Sequence, residues 1–258
     1  MGYRDLRDVP PELLNNDMQR RIQACSQNNA VYVSDEVAEQ LRLLPYPRYY
    51  LDFESVQFAI PIWAGTRPFE QLPFQWSCHI EYGAGGRLEQ KEFLAESNEP
   101  PMRQFAESLI AGIGIDGPVL VYSNFERTTL RQLQLRFPDL EPDLENIIDR
   151  LVDLLPVAEQ HYYHPAMKGS WSIKAVLPTI APELDYKELS VQDGIMAQVA
   201  YLEMINTSTK IARRSEIRTA LLEYCGQDTL AMVKLCKFLC GCSNHQLQPT
   251  PSVILHDF

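Results

Sequence analysis

The stretch Tyr49-Tyr-Leu-Asp-Phe-Glu-Ser55 decides the fold. Pro45 and Pro47 close off what precedes it, and its Tyr, Leu and Phe residues favour extended backbone, so it reads as a strand. Alternate side chains of a strand share a face. Asp52 and Glu54 therefore project together while Leu51 and Phe53 point the other way. Two carboxylates side by side in an otherwise apolar strand repel each other and resist desolvation. A hard divalent cation relieves that cost, and Mg²⁺ is typically held by one or two carboxylates plus substrate phosphate. The plainer reading of the dipeptide has one acid facing solvent and the other in a surface ion pair.

Working outward, two more strands follow, PFQWSCHIEY and LEQKEFL, separated by Pro- and Gly-rich loops. MRQFAESLIAGI has apolar positions at helical spacing, and PVLVYS is a short buried strand. A helix over 124–137 comes next. LENIIDRLVDLLPV reads as a helix running into a short extended segment, and a further short helix starts at Ser172 and stops at Pro178. VQDGIMAQVAYLEMI and SEIRTALLEYCGQDTLAMVKLCKFL are the last two helices. This order predicts an α/β fold, a mixed β-sheet flanked by helices, to which an RNase H-like arrangement is one solution. Residues 1–46 are polar and helix-leaning and read as a tail or linker, 47–242 as the main domain, and 243–258 as a C-terminal tail.

The chain has 258 residues, enough for one sizeable core, with 45% hydrophobic and 22% charged residues. Its formal charge of −11 is not the basic excess usual for a nucleic-acid binder. Such a total suits a small-molecule enzyme or a protein partner, and it permits a nuclease whose basic groove is local. The opening residues have no apolar segment of signal-peptide type. The longest apolar stretch, Leu109–Tyr122, is interrupted by Gly112, Gly114, Asp116 and Pro118 and is too short to span a bilayer. Six scattered or crowded cysteines suit reduced thiols, so a cytoplasmic location without membrane contact is expected. Cys236, Cys240, Cys242 and His245 form C-x3-C-x-C-x2-H, which is not a standard zinc spacing. Helical cysteines packed as small apolar residues are the simpler account.

Three further acids sit in suggestive places. Tyr224 and Asp228 are neighbours on one helix face, and Gly226 between them lets a strand or phosphate approach. Glu126 follows a buried strand near the first turn of a helix, where the dipole favours negative charge. Asp153 lies within the apolar run Leu151-Val-Asp-Leu154. Taken singly, each has an ordinary explanation: a polar helix border, a helix N-terminal Glu, or an acid at a strand end.

In this order the segments resemble the motifs of the DnaQ-like (DEDD) exonucleases, which have an RNase H-like fold. Leu51-Asp-Phe-Glu54 resembles the first motif's D-x-E, Asn124-Phe-Glu126 the aromatic-acid pair of the second, and Tyr224-x-x-x-Asp228 the tyrosine-bearing third. Val152-Asp-Leu-Leu155 and Ser170-Trp-Ser-Ile-Lys-Ala-Val-Leu-Pro178 resemble the strand and helix between the second and third. The likeness covers Tyr49 to Leu239 and is nearest to an uncharacterised branch sharing LDFE, YYHP, GSxSIK, VLP and YCxxDTLAMV. The second motif departs from the pattern, with Tyr122 where Asn is usual and Glu126 where Asp is usual.

The resemblance implies a metal-dependent 3′→5′ exonuclease acting on single-stranded DNA or RNA with two Mg²⁺ or Mn²⁺ ions. Asp52 would bridge the ions, Glu54 and Asp228 would complete one site, and Tyr224 would hydrogen-bond the attacking water. Glu126 would bind the second ion directly, bind it through water, or cede the role to Asp153. Arg127, Lys168, Ser170, Trp171 and Lys174 are the candidate substrate contacts, with Arg131, Lys210, Arg213 and Arg214 as further cations. Trp171, Tyr162 and Tyr163 are candidates for stacking on unpaired bases. Related chains often carry another nuclease-like domain upstream, so a partner or such a domain is part of the expectation. The rival reading is a catalytically degenerate RNase H-like module that binds nucleic acid or serves as a scaffold.

Overall fold

The computed structural model describes residues 2–184 and 186–241. In chain order, the first elements are α1 (Asp17–Asn28), β1 (Tyr32–Val33), α2 (Glu36–Arg42), β2 (Arg48–Val56), β3 (Leu72–Glu81) and β4 (Leu88–Leu94). Next come α3 (Met102–Gly112), β5 (Val119–Val121), α4 (Phe125–Arg136), α5 (Glu141–Asp149) and β6 (Leu151–Asp153). The last are α6 (Leu154–His161), β7 (Tyr162–Tyr163), α7 (Ile173–Ile180), α8 (Gly194–Ile205) and α9 (Ile211–Leu239). No helix among the described residues is long and apolar enough to cross a membrane.

The chain divides into two compact units. The larger comprises Leu44–Asp153 and Asp185–Val233, and the smaller the described parts of Met1–Leu43, Leu154–Leu184 and Lys234–Phe258. In the larger unit, five strands form a mixed sheet in the order β4-β3-β2-β5-β6. β3 is antiparallel to both β2 and β4, while β5 is parallel to both β2 and β6. The α/β class with a mixed sheet flanked by helices is thus as the sequence predicts.

β2 is nearly all buried because both of its faces are covered. On one face, Met102, Phe105, Ala106 and Leu109 form the buried stripe of α3. Phe105 meets Phe53 edge to face at 4.9 Å, and Trp76 Nε1 donates to Ser108 Oγ at 2.9 Å. Gly112 is needed at the end of α3, since an added Cβ would come within 2.7 Å of the Trp76 ring. The opposite face takes α9 through polar contacts: Gln75 Nε2 donates to the Leu221 carbonyl at 2.7 Å, and Ser77 Oγ lies 3.1 Å from Thr229 Oγ1. Gly226 does admit a strand, because Gln90 of β4 fills the space a side chain there would need.

The smaller unit has its own apolar interior. β1 and β7 pair antiparallel, Tyr32 with Tyr163 and Val33 with Tyr162. Trp171 Nε1 donates to the Tyr162 carbonyl at 2.8 Å, and the Tyr162 ring meets Phe238 edge to face. Arg21 donates to the carbonyls of Glu159 and Gln160. These links draw residues read from composition as a tail into a packed unit with 154–184, so the division differs from the sequence expectation. α7 also runs past Pro178 to Ile180; the proline costs one N–H and crowds the carbonyl four residues back, and the helix ends two residues later.

The turn before β5 shows how the sheet edge is set. Arg150 donates to the carbonyls of Gly114, Asp116 and Gly117 at 2.6, 3.1 and 3.0 Å. Gly117 has φ +86°, and an added Cβ would lie 2.0 Å from the Pro47 carbonyl oxygen. Gly117→Ala is therefore expected to destabilise the protein by more than about 1 kcal/mol. Denaturant unfolding checks this, and an unchanged midpoint would show that the turn relaxes freely.

Candidate functional site

β2 carries two acids into the larger unit. In the antiparallel register Asp52 stands opposite Ser77 and Glu54 opposite Gln75, so both acids share the face that α9 covers. The register shifts between Glu54 and Ser55, an irregularity of the kind that re-aims side chains beside functional sites. α9 supplies the third acid: Tyr224 and Asp228 lie one turn apart, and Cys225 Sγ sits 3.6 Å from Asp52 Oδ2. One carboxylate oxygen each from Asp52, Glu54 and Asp228 lies within 4.8 Å of the others. Among the described residues this is the one cluster of three or more metal-type side chains.

Glu54, Asp228 and Glu126 are buried, while Asp52 keeps part of its surface open. Burial, followed by the charges of Asp228, Glu126 and Glu54, pushes the Asp52 carboxyl well above the usual carboxylate range. Glu126 lies in the first turn of α4, where burial and then the charge of Asp153 raise it to about 8. Helix amide and Ser123 hydrogen bonds pull the other way. Glu126 Oε2 is buried and has no hydrogen-bond partner. Asp153 ends β6, in parallel register with Val121 just ahead of the α4 turn.

Two phenols complete the wall. Tyr186 donates from its hydroxyl to Asp228 Oδ1 at 2.5 Å, and its ring meets that of Tyr224 at 6.4 Å and 68°. Burial and then the Asp228 charge push both hydroxyls far above the ordinary phenol range, so they stay protonated as donors. Burial, then the charges of Asp52 and Glu54, likewise keep the Cys225 thiol protonated. The three acids themselves, Asp52, Glu54 and Asp228, offer an all-oxygen donor set.

This donor set fits a hard cation. Oxygen ligands suit Mg²⁺ or Mn²⁺, neighbouring acids raise rather than lower Asp52, and Glu126 offers a buried oxygen still lacking a partner. Of the expected site residues, Asp52, Glu54 and Asp228 converge. Glu126 acts on Asp52, and Asp153 acts on Glu126. Tyr224 stands at the same cluster.

The expected substrate contacts fare differently. Arg127 Nη1 reaches the Ile148 carbonyl at 3.4 Å, Arg131 pairs with Glu145, and Arg213 pairs with Glu203 and Glu216. Arg214 donates to the Asn206 carbonyl, and Lys210 is exposed. Lys168, Ser170, Trp171 and Lys174 belong to the smaller unit. There Lys168 and Ser170 are exposed and Lys174 is half-buried. Trp171, Tyr162 and Tyr163 are buried in that unit's interior and offer no face for stacking on bases. Cys236 and Cys240 are buried thiols, as the packing account expects, whereas Cys242 and His245 lie outside the described residues.

Sequence reasoning missed Tyr186, Ser123 and Cys225. Tyr186 sits in a polar stretch after Pro182 with no periodicity to mark it, and only folding carries it to Asp228.

Residues 49–172 match a family model described as a domain of unknown function (DUF2779). An uncharacterized protein of Ureaplasma parvum, UU173, is 27% identical over 235 residues, covering 82% of this chain and 34% of its own length. An uncharacterized protein of Mycoplasma genitalium, MG366, is 24% identical over 216 residues, covering 74% of this chain and 32% of its own length. This chain thus spans about a third of the length of these relatives. No solved structure matches.

Proposed function

We propose that this chain is a metal-dependent 3′→5′ exonuclease that hydrolyses phosphodiester bonds of single-stranded DNA or RNA. One observation carries the reading: Asp228 of α9 converges to within 4.8 Å on Asp52 and Glu54 of β2, far away in sequence, beside a protonated Tyr224. The sheet order, with acids on the central strand and a facing helix, agrees with the RNase H-like arrangement that the motifs suggest. Polarity and the single-stranded substrate rest on that likeness.

Asp52, Glu54 and Asp228 would hold one cation, and Asp52 with Glu126 and Asp153 a second. Bound divalent cations would supply positive charge for the attacking and leaving oxygens of the displacement. The chain's own groups orient and protonate. Tyr186 occupies Asp228 Oδ1 and so fixes the plane of that carboxylate. Tyr224, held protonated, donates toward the attacking water. Asp52, the half-buried member of the cluster, is where substrate phosphate would approach the acids.

The first test incubates the intact chain with Mn²⁺ or Mg²⁺ and end-labelled single-stranded DNA and RNA. Shortening from the 3′ end that stops with EDTA is expected. Internal cuts in a circular substrate, or a ladder built only from 5′ ends, would refute the polarity. Binding without cleavage would favour the scaffold reading.

Tyr224→Phe removes only the hydroxyl. It should keep cation binding while slowing hydrolysis, within the ~10²–10⁴-fold range of proton-handling groups. Single-turnover rates alongside Mn²⁺ titration check this, and an unchanged rate would make Tyr224 structural.

The acid cluster also sets a pH dependence. With its carboxyl raised from 4.5 to about 8, Glu126 keeps its proton when folded and loses it when unfolded between those values. Stability of the cation-free protein should therefore fall as pH rises through that window, by at most about 1.4 kcal/mol per unit for one proton, and level off above it. Glu126→Gln should flatten the fall. Millimolar Mn²⁺ should raise the melting temperature at pH 8 and do so far less in Asp52→Asn. Thermal melts between pH 5 and 8 decide, and a wild type insensitive to both pH and Mn²⁺ contradicts the reading.

A further inference from the structure

Each acid of β2 has a polar residue of β3 directly opposite it, and both of those residues fasten α9. Gln75, opposite Glu54, is fully buried and donates from Nε2 to the Leu221 carbonyl at 2.7 Å. Ser77, opposite Asp52, is also fully buried and lies 3.1 Å from Thr229 Oγ1. His79, two residues further on the same face, places Nδ1 at 2.7 Å from the same Thr229 oxygen. Leu221 and Thr229 bracket Tyr224 and Asp228 along the helix.

The proton count orders the Thr229 junction. Thr229 donates its one hydroxyl proton to the Gly226 carbonyl at 3.0 Å. With that proton on Gly226, Thr229 Oγ1 has two lone pairs that can accept from Ser77 Oγ–H and from an Nδ1–H of His79, so one hydroxyl ties both β3 side chains to α9. All three side chains are buried, where a broken link leaves a polar atom stranded at about 1–3 kcal/mol. The junction therefore joins three buried side chains at one oxygen. Sliding or turning α9 against the sheet would break it.

We propose that Ser77, His79 and Thr229, with Gln75 at the other end, are positioning residues that set Asp228 in register with Asp52 and Glu54. None of the four is a cation ligand; they act through the placement of α9. Their importance for hydrolysis rests on the nuclease reading above, whereas their effect on Asp228 does not. Second-layer contacts of this type commonly govern metal affinity by ~10–100-fold.

The test uses the intact chain and two readouts. Calorimetric titration gives the Mn²⁺ affinity. In the cation-free protein, proton NMR follows the downfield Tyr186 hydroxyl held by Asp228, assigned by its loss in Tyr186→Phe; a bond this short is charge-assisted. Thr229→Val and Ser77→Ala should shift or abolish that resonance and weaken Mn²⁺ binding by roughly tenfold or more. Thr229→Ser should restore both. Leu109→Ala, a core change on the opposite face at comparable loss of melting temperature, should leave the resonance in place. Should Thr229→Val fail to fold, Ser77→Ala and Gln75→Leu carry the same prediction. An unmoved resonance in the folded variants overturns the proposal, as does an equal shift in Leu109→Ala. If the wild type binds no Mn²⁺ while the resonance still answers to Thr229, the positioning role stands and the metal reading falls.

Discussion

Like charges held in a buried pocket repel each other, and the larger unit is arranged around that repulsion. Asp52 and Glu54 cannot turn away from each other, because a strand places alternate side chains on one face and β2 has neighbours on both edges. α9 covers that face and adds Asp228, while α4 brings Glu126 near enough for its charge to act on Asp52. Each of these acids raises Asp52, so without a cation its carboxyl is pushed toward the protonated form. A fold that pays this cost in its central strand is organised around what the acids can hold.

The two faces of β2 and β3 solve different problems. Phe53, Trp76, Phe105 and Leu109 make an apolar interface, which is strong but tolerant of small slips. The α9 face is held by directional contacts from Gln75, Ser77 and His79, which tolerate none. Directional contacts are placed where carboxylate oxygens must stay a few ångströms apart. Apolar packing is placed where only burial is needed.

Positive charge is deployed locally in the same spirit. Arg150 binds three carbonyls of one turn, Arg131 pairs with Glu145, and Arg213 bridges Glu203 and Glu216. Several of the cations that a sequence reader assigns to phosphate are thereby committed to the scaffold. With a net charge of −11, little excess basicity remains for distant attraction of a polyanion. On the proposed nuclease reading, recognition of a phosphodiester would then depend on cations held by the acids.

Much of this was legible in the sequence because strand and helix periods are local. The alternation in Tyr49–Ser55 put Asp52 and Glu54 on one face, the four-residue spacing put Tyr224 beside Asp228, and the order of elements gave an α/β mixed sheet. Pairing between distant segments has no such period. Only the tertiary structure set Ser77 against Asp52, carried Tyr186 to Asp228, and buried Trp171 in the smaller unit instead of leaving it for a base. It also drew residues before Leu43 into that unit through the pairing of Tyr32 with Tyr163. Backbone geometry is written residue by residue, so the sequence alone determined which face each acid occupies. Which groups meet across that face depends on long-range packing, and the folded chain alone decided it.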